Sequence, residues 1–170
     1  RQDSKGFMWI ATKDGLDRFD GMHFKVFRID SSQNAKHLST DYIYCIEPRK
    51  NGWLWVGSQR GLYQYNPEKE RLEPFIDSLK NIYDITIDRK GQMWFISSFT
   101  ACRYNFKTKT LQQYPTSTYF SATSLCLAKD GNIWVGTQNG FLEKYNPDDN
   151  SFSAFDLFSH SKTPNSKWIK

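Results

Sequence analysis

The sequence predicts an all-β fold, a β-propeller fragment of about four four-stranded antiparallel blades, and two observations support this prediction. The first is the motif Gly-x-apolar-Trp-apolar, which occurs four times, around Trp9, Trp55, Trp94 and Trp134. The second is the spacing of these tryptophans, which lie 46, 39 and 40 residues apart. A repeat of about 40 residues that holds several short strands is typical of propeller blades.

Each repeat unit divides into four predicted strands, labelled a to d from the innermost outward. Strand a is the apolar run before the motif, and strand b carries the tryptophan. A hydroxyl residue, two polar residues and a glycine then predict a tight hairpin turn, since glycine accepts positive φ. Strand c ends in an aromatic residue followed by Asn or Asp, and strand d alternates apolar with other residues, as an outer strand does. We interpret the turn glycines Gly15, Gly61 and Gly140, like the four tryptophans, as structural repeat positions.

The strand pattern sets the predicted domain organisation. Both ends of the chain fall inside predicted a strands, so we expect residues 1–170 to form a single partial propeller. Its expected partners are the remaining blades of a parent protein or a second copy of the chain, because open sheet edges favour association. The predicted blade units are residues 1–30, 38–77, 81–115 and 122–158, with 164–170 as the start of a further strand.

Composition and charge exclude several function classes. The net charge is +5, but Lys and Arg are scattered over predicted turns and outer strands, so we expect no nucleic-acid partner. No apolar run approaches about 18 residues, so we expect no membrane contact within this segment. The three cysteines, Cys45, Cys102 and Cys126, lie in apolar strands without a Cys-x-x-Cys pair, which predicts buried free thiols.

Motifs for catalysis are absent from the sequence. The three histidines, His23, His37 and His160, lie in or near predicted turns without the spacing of metal ligands. There is no Gly-rich phosphate-binding loop and no Gly-x-Ser-x-Gly nucleophile motif. We therefore expect no catalytic residue, no metal and no cofactor.

The segment from Gln2 to Gly21 strongly resembles the repeat of the two-component regulator propeller family, and the segments Gly52 to Asn66 and Gly131 to Asn146 resemble it as well. The resemblance covers essentially the whole chain. It implies a non-catalytic, periplasmic sensor segment of a hybrid two-component signalling protein, cut from a larger, seven-bladed propeller. It also implies a parent that is anchored in the inner membrane, responds to glycan-derived ligands and carries a histidine kinase in a domain absent here.

Two units depart from the repeat. Where other units have a turn glycine, the third unit reads Ser97-Ser98-Phe99-Thr100, and because Thr100 disfavours positive φ we expect a different turn geometry. The fourth unit has one extra residue between Gly140 and Tyr145, which predicts a β-bulge there.

The antiparallel strand order predicts where a ligand would bind. The b–c turns and the connections between blades must lie at the same end of the strands, here called the b–c turn face. Turn residues on this face combine amide, charged and aromatic groups, which suit the hydroxyl arrays and apolar faces of an oligosaccharide. The predicted ligand-binding residues are Lys13, Asp14, Gln59, Arg60, Phe99, Gln138 and Asn139.

Two alternative functions stay open at this point. One is a protein-interaction scaffold without a small ligand, which a flat and regular b–c turn face would favour. The other is a lyase-type propeller enzyme, which a cluster of carboxylates with a histidine at the central channel would favour. No histidine lies within a predicted inner strand, which argues against the enzyme.

Overall fold

The computed structural model describes residues 1–29, 42–114 and 121–157. Within these ranges the regular elements are β-strands and one 3-10 turn at Lys50–Gly52, so the predicted all-β class is confirmed. The interpretations that concern His37, His160 and residues 164–170 lie outside the described residues.

The described strands form four antiparallel sheets. Sheet 1 contains β1 (Met8–Ala11), β2 (Leu16–Phe19) and β3 (Phe24–Phe27). Sheet 2 contains β4 (Ile43–Pro48), β5 (Leu54–Ser58), β6 (Gly61–Asn66) and β7 (Arg71–Ile76). Sheet 3 contains β8 (Ile82–Ile87), β9 (Met93–Ser97), β10 (Thr100–Asn105) and β11 (Thr110–Tyr114). Sheet 4 contains β12 (Ala122–Leu127), β13 (Ile133–Thr137), β14 (Phe141–Asn146) and β15 (Ser151–Asp156).

Neighbouring strands in every sheet are consecutive in the sequence, so each sheet is a simple meander. Sheets 2, 3 and 4 have four strands each, and sheet 1 has three within the described ranges. The predicted architecture of four-stranded antiparallel blades is therefore confirmed. The tryptophan of each motif lies in the b strand, namely β1, β5, β9 and β13.

The chain divides into two compact units, Arg1–Ile85 and Thr86–Lys170, and the division falls within β8. Unit 1 contains sheets 1 and 2. Unit 2 contains β9 to β11 and sheet 4. Each unit thus carries two of the four repeat tryptophans, Trp9 and Trp55 in unit 1 and Trp94 and Trp134 in unit 2.

The core of unit 1 combines apolar side chains from both of its sheets. Trp9, Leu16 and Phe27 of sheet 1 pack in one cluster with residues of sheet 2, including Leu54 and Tyr65. All five are at most 5 % exposed. Side chains alternate between the two faces of a strand, so one face of each sheet supplies this core. Full burial of an apolar side chain of this size stabilises the fold by about 1.5–3 kcal/mol.

In the first, second and fourth repeats, the hydroxyl residue stabilises the b–c turn that follows it. Ser58 is fully buried, and its Oγ donates a hydrogen bond to the carbonyl of Gly61 at 2.9 Å. The same Oγ accepts from the N–H groups of Arg60 and Gly61, both at 3.1 Å. Thr12 and Thr137 bond within their own turns in the same way. The recurring Ser or Thr is therefore a structural element of the turn.

The third b–c turn has a different backbone geometry, as predicted. Ser98 and Phe99 both have positive φ, 46° and 70°. Positive φ at both central residues is the backbone of a type I′ turn, which forms here without the turn glycine of the other units.

The predicted bulge in the fourth unit is wrong. Residues Gly136, Val135 and Trp134 pair in unbroken register with residues 142, 143 and 144 of β14. The extra residue instead lengthens the b–c turn, which has three residues between β13 and β14 where sheet 2 has two between its b and c strands. Gly140 ends this longer turn with φ at 82°, and three-residue hairpin loops favour glycine at that position.

The three cysteines are free thiols, but they differ in burial. Cys102 is buried and Cys45 is half-buried, whereas Cys126 is exposed. The predicted burial is wrong for Cys126 because it lies on the outward face of β12, together with the exposed Ser124.

Candidate functional site

A buried carboxylate organises the turn that leads into β1. Asp3 is 8 % exposed, and its Oδ1 accepts hydrogen bonds from the N–H groups of Lys5 at 2.9 Å and Phe7 at 3.0 Å. Its Oδ2 accepts from the indole N–H of Trp9 at 2.8 Å. Both carboxylate oxygens are thus engaged, and the indole has a fixed orientation.

Arg18 lies over the indole that Asp3 orients. Trp9 and Arg18 face each other in the β1–β2 pairing, and the guanidinium carbon lies 5.8 Å from the Trp9 ring. Arg18 also donates to the hydroxyl of Tyr65 at 3.4 Å and forms an ion pair with Glu70 at 3.2 Å. Since Tyr65 and Glu70 belong to sheet 2, Arg18 links the two sheets of unit 1 through cation–π and polar contacts.

Unit 2 repeats this arrangement 85 residues later, from 9 to 94 and from 18 to 103. The indole of Trp94 donates to Asp88 Oδ2 at 3.0 Å, and two backbone N–H groups bind Asp88 Oδ1. The Arg103 guanidinium lies 5.3 Å from the Trp94 ring and donates to the hydroxyl of Tyr145. We call each set the indole–guanidinium network of its unit.

The two networks differ at the acceptor that the c–d turn supplies. Unit 1 has Glu70 where unit 2 has Asn150, each four residues after the asparagine that ends its c strand and each with positive φ, 48° and 57°. Asn150 Oδ1 accepts from Arg103 at 3.0 Å, from Tyr114 at 3.0 Å and from Tyr145 at 2.8 Å. Burial raises the pKa of the Tyr114 hydroxyl, so this group remains a neutral donor.

A cleft of about 480 Å³ opens beside the unit 2 network. It is formed by the a–b turns of sheets 3 and 4 and the c–d turn of sheet 4, which lie at the opposite end of the strands from the b–c turns. The polar residues that line it include Arg89, Lys90, Gln92, Arg103, Asn132 and Asn150. This unit 2 cleft is therefore not on the surface that the sequence predicted for ligand binding.

In unit 1 the b–c turns lie beside the connections between sheets, as the antiparallel order predicts. The Gln59 carbonyl accepts from the N–H of Asn81 at 3.1 Å, and the Gln59 N–H donates to the carbonyl of Tyr42 at 2.9 Å. In sheet 1, the Thr12 carbonyl likewise accepts from the N–H of Ile43 at 2.9 Å. Each b–c turn is thus held to the start of an inner strand.

The predicted ligand residues of unit 1 are accessible on this face. Lys13, Asp14 and Gln59 are exposed, and Arg60 is half-buried. The carboxylate of Asp14 forms an ion pair with Arg28, so it is not fully available to a ligand.

Three tyrosines lie on or just before the inner strands, next to Lys13. The ring of Tyr44 lies 5.3 Å from that of Tyr42 and 5.0 Å from that of Tyr83, and the Lys13 ammonium lies 5.4 Å from the Tyr42 ring. All three rings are half-buried. Burial raises the pKa of the Tyr44 hydroxyl, so it remains neutral near pH 7. We call Tyr42, Tyr44 and Tyr83 the tyrosine row.

The predicted ligand residues of unit 2 lie on the b–c turn face of that unit. Phe99 is 41 % exposed, and its carbonyl accepts from the N–H of Ala122 at 2.9 Å. The N–H of Gln138 donates to the carbonyl of Ser121 at 2.9 Å, and Asn139 is half-buried beside it. These residues therefore occupy positions equivalent to those of the unit 1 turns.

Residues 1–29, 42–114 and 121–157 offer neither a metal-binding cluster nor a membrane-spanning helix. No group of three or more His, Cys, Asp or Glu side chains in these ranges could hold a metal ion. No helix in them has the length and hydropathy to cross a membrane.

Sequence reasoning missed the tyrosine row and the unit 2 cleft. A signal for the row exists, since an Ile-Tyr pair begins both predicted inner strands, at residues 43–44 and 82–83. A signal for the cleft exists in the 85-residue period of Arg18 and Arg103, but the stronger period of about 40 residues hides it.

These sheets and their repeated turns define the class of protein, a tandem array of β-propeller blades. At residues 37–60 and 116–139 the chain matches the profile of the two component regulator propeller family. The resemblance inferred from the sequence is thus confirmed, and these two segments match the repeat of this family.

Solved structures of extracellular domains from two-component systems are similar to the chain. The extracellular domain of BT4673 from B. thetaiotaomicron, which is assigned as a hybrid two component system, is 26% identical over 97% of this chain, with a TM-score of 0.79. The chain spans 22% of that domain. The extracellular domain of BT3049 from the same organism is 22% identical over 91% of this chain and has a TM-score of 0.73, with 24% of its own length covered. At that identity the likeness to BT3049 shows a shared fold.

A lyase also shares the fold. A catalytically inactive virginiamycin B lyase from Staphylococcus aureus, in a structure with quinupristin, is 15% identical over 94% of this chain, with 55% of the lyase covered and a TM-score of 0.70. No curated protein matches the sequence.

Proposed function

We propose that this chain is a non-catalytic, extracytoplasmic sensor segment of a hybrid two-component signalling protein, and that it recognises a glycan-derived ligand on the b–c turn face of unit 1. The similarity to the extracellular domain of BT4673 over 97% of the chain supports the sensor assignment. The observation that supports a carbohydrate ligand is the tyrosine row beside Lys13.

The tyrosine row has the chemistry that a sugar ring requires. The rings of Tyr44 and Tyr83 pack edge to face with centroids 5.0 Å apart, and a ring face that the neighbour does not cover can contact the C–H groups of a pyranose. The neutral Tyr44 hydroxyl can donate to a sugar oxygen or accept from a sugar hydroxyl. The Lys13 ammonium lies over the Tyr42 ring, and the Gln59 backbone bonds to the Tyr42 carbonyl, so polar residues adjoin the aromatic ones, which is the usual composition of a small-molecule site.

The predicted residues of unit 2 extend this proposal. Phe99, Gln138 and Asn139 occupy the equivalent turns of unit 2, and we propose them as ligand contacts of the same chemical kind within that unit.

Signal output belongs to the parent protein in this proposal. The chain spans 22% of the extracellular domain of BT4673, so a kinase, a membrane anchor and a periplasmic location are proposed for the parent rather than for the chain alone. A ligand shifts a signalling equilibrium only as far as its affinities for the two states differ. Ligand binding would therefore bias the arrangement of the sensor and, through it, the kinase.

The proposal is tested by calorimetric titration of the chain with neutral oligosaccharides of glucose, xylose, mannose and arabinose. We expect at least one series to bind, and we expect Tyr44→Ala and Tyr83→Ala each to weaken that binding by about two- to tenfold. The matched control is Phe106→Ala, since Phe106 is an exposed aromatic residue in a c–d turn. Failure of every series to bind, or equal losses in all three variants, would contradict the proposed site.

A further inference from the structure

The acceptor that differs between the two networks sets the charge environment of each arginine. In unit 1, Arg18 pairs with Glu70 at 3.2 Å, and Glu70 also pairs with Lys25 at 2.6 Å. In unit 2, the acceptors of Arg103 are neutral: the Tyr145 hydroxyl, Gln112 Oε1 at 2.7 Å and Asn150 Oδ1 at 3.0 Å. Within the described part of the chain, Arg103 therefore has no carboxylate at ion-pair distance.

Not every N–H donor of the Arg103 guanidinium has an acceptor among the residues that the structure describes. A guanidinium has five N–H donors. Three of them have acceptors among the residues that the structure describes, all named above. Two donors remain on a half-buried side chain that lines the unit 2 cleft. Such donors are best satisfied by an anionic acceptor, because hydrogen bonds between two charged groups are the strongest.

Two further cations lie at the same cleft. Arg89 and Lys90 are exposed in the a–b turn of sheet 3, and the Arg89 guanidinium donates to the carbonyl of Lys129. The Arg89 side chain lies against Gly131, where a Cβ atom would come within 3.1 Å of its Cδ. The hydrogen bond to the Lys129 carbonyl thus holds the Arg89 side chain in place, and Gly131 leaves room for it because glycine has no side chain.

The two carboxylates that line the cleft already have partners. Asp88 is bound by the Trp94 indole and two backbone N–H groups. Asp130 accepts from the Asn132 side-chain amide at 2.6 Å and from its backbone N–H at 3.0 Å. Three cations against two engaged carboxylates leave a positive charge excess in the cleft.

We propose that the unit 2 cleft is an oxyanion-binding site that takes a carboxylate or sulfate group of a small ligand, with Arg103 and Arg89 as its cationic contacts. The site is distinct from the tyrosine row in unit 1 and does not depend on it. Unit 1 lacks the same property at Arg18 because Glu70 supplies the anion from within the chain.

The experiment measures binding of sodium glucuronate, sodium sulfate and glucose to the whole chain by calorimetry, with thermal unfolding recorded for every variant. We expect both anions to bind at millimolar concentration, glucose to bind more weakly than either, and binding to weaken as NaCl is raised, since screening acts on exposed charges. A preference for glucuronate identifies the anion as a carboxylate, and a preference for sulfate identifies it as a sulfate; either order supports the site.

Two variants test the residues. Asn150→Glu places in unit 2 the carboxylate that unit 1 has at Glu70, so it should compete with the ligand and weaken anion binding by about tenfold or more. Arg89→Gln should weaken binding to a similar degree without unfolding the chain, because Arg89 is exposed. The matched control is Lys107→Gln, an exposed cation of a c–d turn, which should bind as the unaltered chain does.

Three results would overturn the proposal. The first is no binding of glucuronate or sulfate by the unaltered chain. The second is glucose binding as strong as glucuronate binding. The third is unchanged anion binding in both Asn150→Glu and Arg89→Gln while their unfolding temperatures remain normal.

Discussion

Asp3 and Trp9 are joined by a 2.8 Å hydrogen bond from the indole N–H to the carboxylate, and Asp88 and Trp94 repeat this bond at 3.0 Å in the other unit. In both cases the carboxylate also binds two backbone N–H groups of the turn between it and the tryptophan. The Asp-x-x-Gly-x-x-Trp spacing is therefore a structural motif, in which the Asp carboxylate fixes both the turn and the orientation of the Trp indole.

Replacement of Asp88 by Ala should destabilise unit 2. The change leaves the indole N–H of Trp94, a residue that is 1 % exposed, without its acceptor, and a buried unsatisfied donor costs about 1–3 kcal/mol. The two turn N–H groups also lose their acceptor, but they are more accessible to water. Urea denaturation followed by tryptophan fluorescence measures the loss. Asp148→Ala is the control, since Asp148 is an exposed turn carboxylate, and equal denaturation midpoints for the two variants would contradict the prediction.

Replacement of Gly61 by Ala should destabilise unit 1 more than Gly91→Ala destabilises unit 2. A Cβ at Gly61 would lie 2.6 Å from the carbonyl oxygen of Ile76, whereas a Cβ at Gly91 would meet nothing within 4 Å. Both glycines have positive φ, 146° and 74°. Gly91→Ala should therefore show only the backbone cost of about 1–2 kcal/mol.

The comparison of these two glycine variants isolates the steric clash. Thermal and urea unfolding of both variants measure it directly. A Gly61→Ala protein as stable as the Gly91→Ala protein would mean that the turn after β5 shifts to admit the methyl group.

The ion pairs of Glu70 should make a pH-dependent contribution to stability. Hydrogen bonding from Lys25 is the largest cause that holds the pKa of this carboxyl below its usual 4.5, and Arg18 adds to it. A depressed pKa in the folded state stabilises the protein above the unfolded-state pKa, and this stability is lost as the pH falls through the folded-state pKa. The difference in unfolding temperature between the unaltered chain and Glu70→Gln should therefore be present at pH 7, begin to shrink near the unfolded-state pKa of about 4.3, and be lost as the pH falls through the lower folded-state pKa.

A control accompanies the Glu70 measurement. Glu68→Gln changes an exposed carboxylate of the same c–d turn, and its effect should not follow this pH course. A Glu70→Gln difference that stays constant from pH 7 to strongly acidic pH would show that the contacts act through packing rather than charge.

Glu143 should show the opposite pH course. This residue of β14 is 4 % exposed, and burial raises the pKa of its carboxyl. A raised pKa means that the stability contributed by the protonated form is fully present below the unfolded-state pKa and is lost as the pH rises through the folded-state pKa. Glu143→Gln should therefore unfold at a higher temperature than the unaltered chain at pH 7, and the difference should vanish near pH 4.

The fold was largely predictable because its determinants are local. The spacing of Trp55, Trp94 and Trp134 reports the blade period, and the turn residues mark the hairpins on which the strand pairing depends. The sequence showed that the fourth unit has an extra residue before Tyr145, but it did not show whether that residue lies in the strand or in the b–c turn. A bulge and a longer turn satisfy the same residue count, and local backbone energetics decides between them.

The candidate sites were less predictable because they depend on contacts between sheets. The sequence places Arg103 opposite Trp94 within one hairpin, but the approach of Tyr145 and Asn150 depends on how two sheets pack and twist. The residue types of the b–c turns likewise indicated a binding face. They did not indicate that the rings of Tyr44 and Tyr83 are in contact, because that contact depends on how two sheets pack. Hairpin register is encoded within about 15 residues, whereas these meetings join positions about 40 residues apart.

The indole–guanidinium networks have a consequence for how this array can grow or shrink. In each unit the donor arginine lies on one blade and its acceptor on the next, so successive blades are not equivalent parts. Duplication or loss of a single blade would place two arginine-bearing blades, or two acceptor-bearing blades, side by side. Duplication of a pair of blades would keep each arginine beside its acceptor. The smallest unit that preserves these contacts is then the doublet, whose matching positions lie 80 to 85 residues apart, from Tyr65 to Tyr145 and from Trp9 to Trp94, rather than about 40.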